Sequence, residues 1–336
     1  IFSENMIHLE NKNTTFKQTP LQKTYFALGT RINLTIFGCE NPAILDKTYD
    51  LIKYYEDILT VNRDESEVMS INHAAGKYPV RVSEATYKLI KRSVQVSQEY
   101  LGFNSLIGPL VKLWGIGFDN ANVPKEKDIK STLNLINPQK IILDDNEMTV
   151  FLQDDGMELD LGGIAKGYIA DRIKDFWHAF DISSGIIDLG GNLLLVGPQP
   201  KHDDALWRIG VQNPHDARGS AIGVVVTSEC SIVTSGIYER HLEVDGKSYH
   251  HILDSKTGYP KQNNLASVTV FSKYSIDGEI ETTNLFFAGE PVKDWGKDNP
   301  NLLGAVFVTT DNKIYLSKFT PNDFHLLSDE FEVIQH

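Results

Sequence analysis

Residues 234–260 hold a dense run of reactive side chains: Ser235, Glu239 and Arg240, the paired His250 and His251, then Asp254, Lys256 and Thr257 before a Gly258-Tyr259-Pro260 turn. A histidine near neutrality takes a proton from a hydroxyl, or contacts a phosphate when charged. The two histidines are adjacent, so on a strand they point to opposite faces and only one can enter a shared site. A lone histidine is more often a packed residue than a catalytic one. The Ser, Glu, Asp and Thr neighbours shift that balance here.

Two further segments carry groups suited to phosphate chemistry. Residues 160–168, Asp-Leu-Gly-Gly-Ile-Ala-Lys-Gly-Tyr, join a strand to a helix through two glycines. Free amides at a helix start suit a phosphate, and Lys166 adds a charge. Neither the GxxxxGK[ST] spacing nor the GxGxxG pattern is present. Alone, the segment reads as a tight turn with a solvent-facing lysine. Glu279 and Thr283 lie four apart on one helical face, where a carboxylate and a hydroxyl can share a hard cation. Carboxylates in a first helical turn are also ordinary partners of the helix dipole. Residues 102–115 form a Gly/aromatic loop in which Phe103 and Trp114 read equally as walls for a planar ring and as core.

The elements that must position these groups follow from periodicity. Residues 24–37 alternate and read as one strand with a bulge at Gly29. Residues 43–59 have helical spacing, and Ser83 caps a second helix running to about residue 100. A charged loop, residues 124–128, precedes a short helix. The apolar run 141–143 starts a hairpin tipped by Asp144-Asp145-Asn146, followed by a helix over 164–180. The second half is β-rich, with strands over 185–195, 207–211, 221–226, 231–234 and 267–271, a helix over 278–288, and strands over 304–309 and 313–317. The alternation implies an α+β fold, and no linker marks an internal boundary.

Composition narrows the function. Hydrophobic residues make up 41% of the 336 and charged residues 23%, as in globular proteins generally. A net charge of -13 disfavours nucleic acid and anionic lipid as partners. Cys39 and Cys230 are the two cysteines, too few for a zinc site or a disulfide framework. No apolar run approaches the ~20 residues of a membrane span. Residues 1–20 are polar and aperiodic and read as a flexible tether before a unit over 21–336. The start at Ile1 is expected either from a removed signal or lipoprotein peptide or from a cloning boundary.

Several of these strings occur together in an order that resembles the ApbE family of FAD:protein FMN transferases, over roughly residues 24–310. They are Leu28-Gly29-Thr30; Ser66-Glu67 with Asn72; residues 103–115; Asp160 to Tyr168; Leu189-Gly190-Gly191-Asn192; Ser235-Gly236-Ile237-Tyr238-Glu239-Arg240; and His251 to Pro260. The resemblance implies a single α+β unit of two related halves around a flavin cleft. It implies transfer of the FMN half of FAD to a Ser or Thr hydroxyl of a target protein, with release of AMP. By it, Leu28, Asn62, Gly102, Phe103, Asn104, Asp160, Lys166 and Ile252 contact FAD, while Gly163, Glu279 and Thr283 hold Mg²⁺. His251 is the proton acceptor or positions the acceptor hydroxyl, and Ser235 organises the phosphate or the histidine.

The chain departs from the family pattern with Leu28 for Met, Asn104 for Asp and Glu279 for Asp. The extra methylene at 279 shifts a metal-bound carboxylate by about an ångström, a displacement that can cost ~100-fold in rate. Asp277 and Glu281 are the candidates to compensate. The competing expectations are an FAD-binding protein with weak or no transfer, and an Mg²⁺-dependent FAD pyrophosphatase using water as acceptor. The implied partner is an exported redox protein carrying the acceptor residue. The implied location is outside the cytoplasmic membrane, through a lipid anchor absent from this chain.

Overall fold

The computed structural model describes residues 19–336, except 117–118, 217–219, 238–240, 245–246, 251 and 262. Residues 1–18, most of the expected tether, lie outside the described residues. No helix among the described residues is long and apolar enough to cross a membrane.

The alternating segment expected as one bulged strand is a hairpin. Strands β1 (Leu21–Ala27) and β2 (Thr30–Ile36) pair antiparallel from Leu21↔Ile36 to Ala27↔Thr30. Leu28 and Gly29 close it, both left-handed, with φ of 56° and 69°. Two left-handed residues in succession reverse the chain in register with the twist of the strands, so no bulge is required. Leucine is unusual at such a position, which hides the turn from composition.

Helix α1 (Ala43–Leu59) has the expected bounds. Next come α2 (Glu67–His73), β3 (Val80–Arg81), α3 (Glu84–Ser97), α4 (Gly108–Trp114) and α5 (Glu126–Leu133). Strands β4 (Ile141–Asp144) and β5 (Thr149–Leu152) form the expected hairpin, and β3 adds to β5. Helix α6 (Gly162–Ala179) leads to β6 (Gly185–Leu189) and β7 (Asn192–Val196), which are joined by the Gly190-Gly191 turn. Strands β8 (Trp207–Gln212), β9 (Ala221–Thr227), β10 (Ser231–Gly236), β11 (His241–Val244), β12 (Lys247–His250) and β13 (Leu265–Ser272) precede helix α7 (Ser275–Ala288). The chain closes with β14 (Leu302–Thr309), β15 (Lys313–Ser317), β16 (Phe324–Leu326) and β17 (Glu332–Ile334).

A nine-stranded sheet in the order β1-β2-β6-β7-β10-β13-β14-β15-β17 is the frame. Its pairs are antiparallel except β15 with β17. The central strand β13 is buried along its whole length. Val268 and Val270 face a core shared with Leu285 and Phe286 of α7, while Phe271 faces the opposite core with Trp207, Ile222 and Phe324. A strand covered on both faces needs apolar residues throughout, and that explains its continuous apolar run. Under α1 and α6, Ile32, Leu34, Ile187 and Leu194 pack on Ile52, Ile169 and Trp177. Helices α6 and α7 thus lie packed on the sheet. The fold is α+β.

Candidate active site

The site is built where α6 crosses α7. Asp171 of α6 accepts hydrogen bonds from the N–H groups of Ser275 (2.8 Å) and Ile276 (3.1 Å), which caps the start of α7 from outside that helix. One turn back along α6, Gly167 lies so close to α7 that a β-carbon there would come 2.6 Å from Ser275 O and 2.8 Å from Glu279 Cγ. Only glycine permits that approach. A further turn back, Gly163 packs under the ring of Phe103, whose N–H donates to Asn284 Oδ1 at 2.9 Å. The helices therefore run antiparallel. Residues 171, 167 and 163 descend α6 while 275, 279 and 283–284 ascend α7. The expected metal residues Gly163, Glu279 and Thr283 share this crossing.

Their chemistry suits a hard divalent cation. They offer a backbone carbonyl, a carboxylate and a hydroxyl, all oxygen donors, as Mg²⁺ prefers. Among the described residues no cluster of three or more His, Cys, Asp or Glu side chains could hold a metal, so a thiolate or imidazole cage is absent there. Thr283 Oγ1 donates to Glu279 O at 3.0 Å, which leaves its lone pairs as acceptors. Glu279 Oε1 accepts from Asn192 Nδ2 at 2.6 Å. The residues present fit the ion.

The two carboxylates expected to compensate for the glutamate at 279 face elsewhere. Asp277 accepts from Arg92 Nη2 at 2.6 Å. Glu281 accepts from Trp295 Nε1 at 2.8 Å, and burial pushes its carboxyl above the usual range despite that bond. Residues two apart on a helix point about 200° apart, so neither can substitute for Glu279 at the α6 face. This corrects the expectation from sequence.

The Gly/aromatic loop is anchored rather than free. Gly102, at φ 131°, lies against Phe287. Phe103 is buried over Gly163. Both polar ends of the Asn104 side chain go to backbone: Nδ2 donates to Ile136 O at 2.9 Å and Oδ1 accepts from Leu106 N at 3.0 Å. Asn104 thus shapes the loop. Ser105 O accepts from Asp160 N at 2.8 Å, tying the loop to the start of α6.

Asp160 Oδ1 accepts from Gly162 N at 2.8 Å and fixes the Gly-Gly turn. Burial raises its carboxyl pKa, the Gly162 N–H opposes that, Glu158 adds to it and Lys112 opposes it. Asn62 and Asp160 line one cleft of about 410 Å³ with Met69, Asn72, Gly108 and Lys112. Lys166 is half-buried, and no hydrogen bond or ion pair holds its side chain to another described residue. Leu28 donates its N–H to Glu56 Oε2. Its hairpin turn lies beside the β6–β7 turn, where Gly190 packs against Thr30.

Ser235 is half-buried on β10 opposite Val268 of β13. Ile252 and Ile237 pack on the same small core with Leu265 and Phe286. His251 lies outside the described residues, as do Glu239 and Arg240. His250 ends β12 opposite His241. The turn that follows is docked firmly: Trp114 Nε1 donates to Gly258 O at 2.8 Å, and Tyr259 packs edge-on against Trp114. Trp114 is therefore core.

Three braces had no assigned role in the sequence reading. Asn72 pairs its amide with both the N–H (2.7 Å) and C=O (2.9 Å) of Leu159, holding the segment that leads into Asp160 and α6. Ser66 Oγ caps α2 by accepting from Met69 N at 2.9 Å, a role its Ser-Glu signature could have revealed. Asn192 joins β7 to Glu279, and no local pattern announces that contact.

The comparisons agree with this architecture. Residues 28–307 match the ApbE family. A Klebsiella pneumoniae protein named FAD:protein FMN transferase is 44% identical over 308 residues, 91% of this chain and 95% of that protein. One of the same name from Treponema pallidum is 35% identical over 280 residues, 78% of this chain and 77% of that one. The ApbE protein of Thermotoga maritima superposes with a TM-score of 0.79 at 30% identity, covering 89% of this chain and 97% of its own. The flavin transferase ApbE of Vibrio cholerae shares the fold, with a TM-score of 0.77 at 23% identity, covering 90% of this chain and 99% of its own. With a match across most of its length and close relatives in both sequence and structure, this chain belongs to the ApbE family.

Proposed function

We infer that this chain is an FAD:protein FMN transferase, and we propose that its activity depends on Mg²⁺ held by Gly163, Glu279 and Thr283. The observation that carries the metal reading is the α6–α7 crossing, where the Glu279 side chain runs over Gly167 with Thr283 one turn on and Gly163 one turn back.

In the reaction the oxygen of an acceptor Ser or Thr hydroxyl bonds to the FMN phosphorus of FAD. The bond from that phosphorus to the bridging pyrophosphate oxygen breaks, and AMP leaves with the bond's electron pair. Gly163, Glu279 and Thr283 would hold the Mg²⁺, which when bound would supply positive charge against the pyrophosphate and the departing phosphate. Lys166, at the start of α6, adds a second positive charge, and the fixed Asp160–Gly162 turn presents the backbone to the nucleotide. The acceptor hydroxyl's proton goes to His251, with Ser235 organising the phosphate or the histidine; the neutral imidazole is the right base near pH ~7. Phe103 and Gly102 form a wall of the flavin cleft, with Leu28, Asn62 and Ile252 at its edges.

By resemblance, the acceptor is an exported redox protein and the enzyme works outside the cytoplasmic membrane. Incubation with FAD, Mg²⁺ and such an acceptor should add the mass of FMN to the acceptor and release one AMP per label. Free FMN and AMP without a labelled acceptor would mark a pyrophosphatase instead. His251→Ala should abolish labelling while FAD still binds.

A further inference from the structure

We infer that Asn192 is a positioning residue that aims the Glu279 carboxylate at the cation site, an inference resting on the metal reading above. Asn192 starts β7 just after the Gly190-Gly191 turn and is 5% exposed. Its amide has two distinct ends with two distinct jobs. Oδ1 accepts from Ser275 Oγ at 2.9 Å, and Nδ2 donates to Glu279 Oε1 at 2.6 Å. Ser275 is itself fixed through its N–H by Asp171. A chain of hydrogen bonds therefore runs from α6 through the start of α7 to β7 and back to the carboxylate.

The arrangement answers a specific problem. A glutamate has one more rotatable bond than an aspartate, so its carboxylate explores more positions unless something holds it. Gly167 opens the path: Glu279 Cγ occupies space that a side chain on α6 would fill. Asn192 closes it by taking one carboxylate oxygen. Only a side chain with an acceptor and a donor does both, since an aspartate at position 192 could not donate and would add a like charge beside Glu279. Partners that orient a metal-binding carboxylate in this way are typically worth about 10–100-fold in metal affinity.

The test uses Mn²⁺ as probe, its free signal followed by electron paramagnetic resonance, with the whole chain saturated with FAD. Asn192→Ala and Asn192→Asp should each weaken Mn²⁺ binding about 10–100-fold. Glu279→Asp alone ends one methylene short of the amide. In that background Asn192→Ala should change Mn²⁺ affinity by less than about threefold, so the two substitutions are non-additive. Ser275→Ala, which removes only the far bond of Asn192, should weaken binding less than Asn192→Ala. If Asn192→Ala does not fold, the near-isosteric Asn192→Asp carries the measurement. Wild-type affinity in the Asn192 variants, or equal losses in the wild-type and Glu279→Asp backgrounds, would overturn the inference. Failure of the wild-type protein to bind Mn²⁺ in the presence of FAD would overturn the metal reading beneath it as well.

Discussion

Helix α7 carries three carboxylates within two turns, and its two faces treat them differently. Glu279 faces α6, crosses Gly167 and is held by the neutral amide of Asn192. Asp277 and Glu281 face away, one bound to the Arg92 guanidinium and the other to the Trp295 indole. Asp277 is matched by a charge, whereas Glu281 is buried beside a neutral donor that only partly offsets the cost of its ionisation. The Asn192 amide takes one oxygen of the Glu279 carboxylate and fixes its direction over Gly167. The same residue types thus meet different partners on the two faces of one helix, and what each packs against decides which.

The largest separation of the two faces should come from amide substitutions. Glu279→Gln should lower FMN transfer about 100- to 1,000-fold, because it removes the charge of the proposed cation ligand at a site of developing charge. Glu281→Gln keeps an acceptor for Trp295 and should leave transfer within about twofold. Labelling rates measured across an Mg²⁺ titration check both. A comparable loss in both variants would erase the distinction between the faces.

Gly167→Ala tests how closely the α6 face must approach. A methyl group there would come 2.6 Å from Ser275 O and 2.8 Å from Glu279 Cγ, so the helices must part. Overpacking of this kind costs about 1–3 kcal/mol. Urea denaturation should show that loss, and the Mg²⁺ concentration needed for half-maximal transfer should rise with it.

Asp171 sets a pH dependence for the same crossing. Burial raises its carboxyl to about 6, against the pull of the Ser275 and Ile276 N–H groups. The folded state then keeps a proton that the unfolded chain releases near pH ~4. Stability from this group is greatest below that point and falls as the pH rises from about 4 to about 6, by up to about 3 kcal/mol. Glu281, also raised by burial, contributes with the same sign. Asp171→Asn should flatten the decline in a series of urea melts, leaving the part due to other groups.

The smallest effect belongs to the outer face. Arg92 is half-exposed, so its pair with Asp277 is partly screened. Asp277→Asn should cost about 1 kcal/mol in urea and leave the Mg²⁺ dependence of transfer unchanged.

Much of the frame was readable from periodicity. The bounds of α1 and β15 agree with the reading of residues 43–59 and 313–317, α1 because it buries one regular face. The β1–β2 hairpin was hidden because a leucine takes a left-handed position where an asparagine would have announced a turn. The candidate site was legible as motifs in order, and the i, i+4 spacing put Glu279 and Thr283 on one face. The braces were not. Asn72 bonds to Leu159, Trp114 to Gly258 and Asn192 to Glu279, each joining residues 87 or more positions apart. Spacing rules read neighbours along one element, and these contacts depend on how elements cross. For the same reason Asp277 and Glu281 looked interchangeable with Glu279 until their partners were known.

The most direct measurement is mass spectrometry of an acceptor protein after incubation with this chain and FAD, with Mg²⁺ and with Mg²⁺ removed by EDTA. An Mg²⁺-dependent transferase should add one FMN and release one AMP per acceptor with Mg²⁺, and give no gain with EDTA or with Glu279→Gln. Labelling that persists in EDTA at the wild-type rate would contradict that dependence.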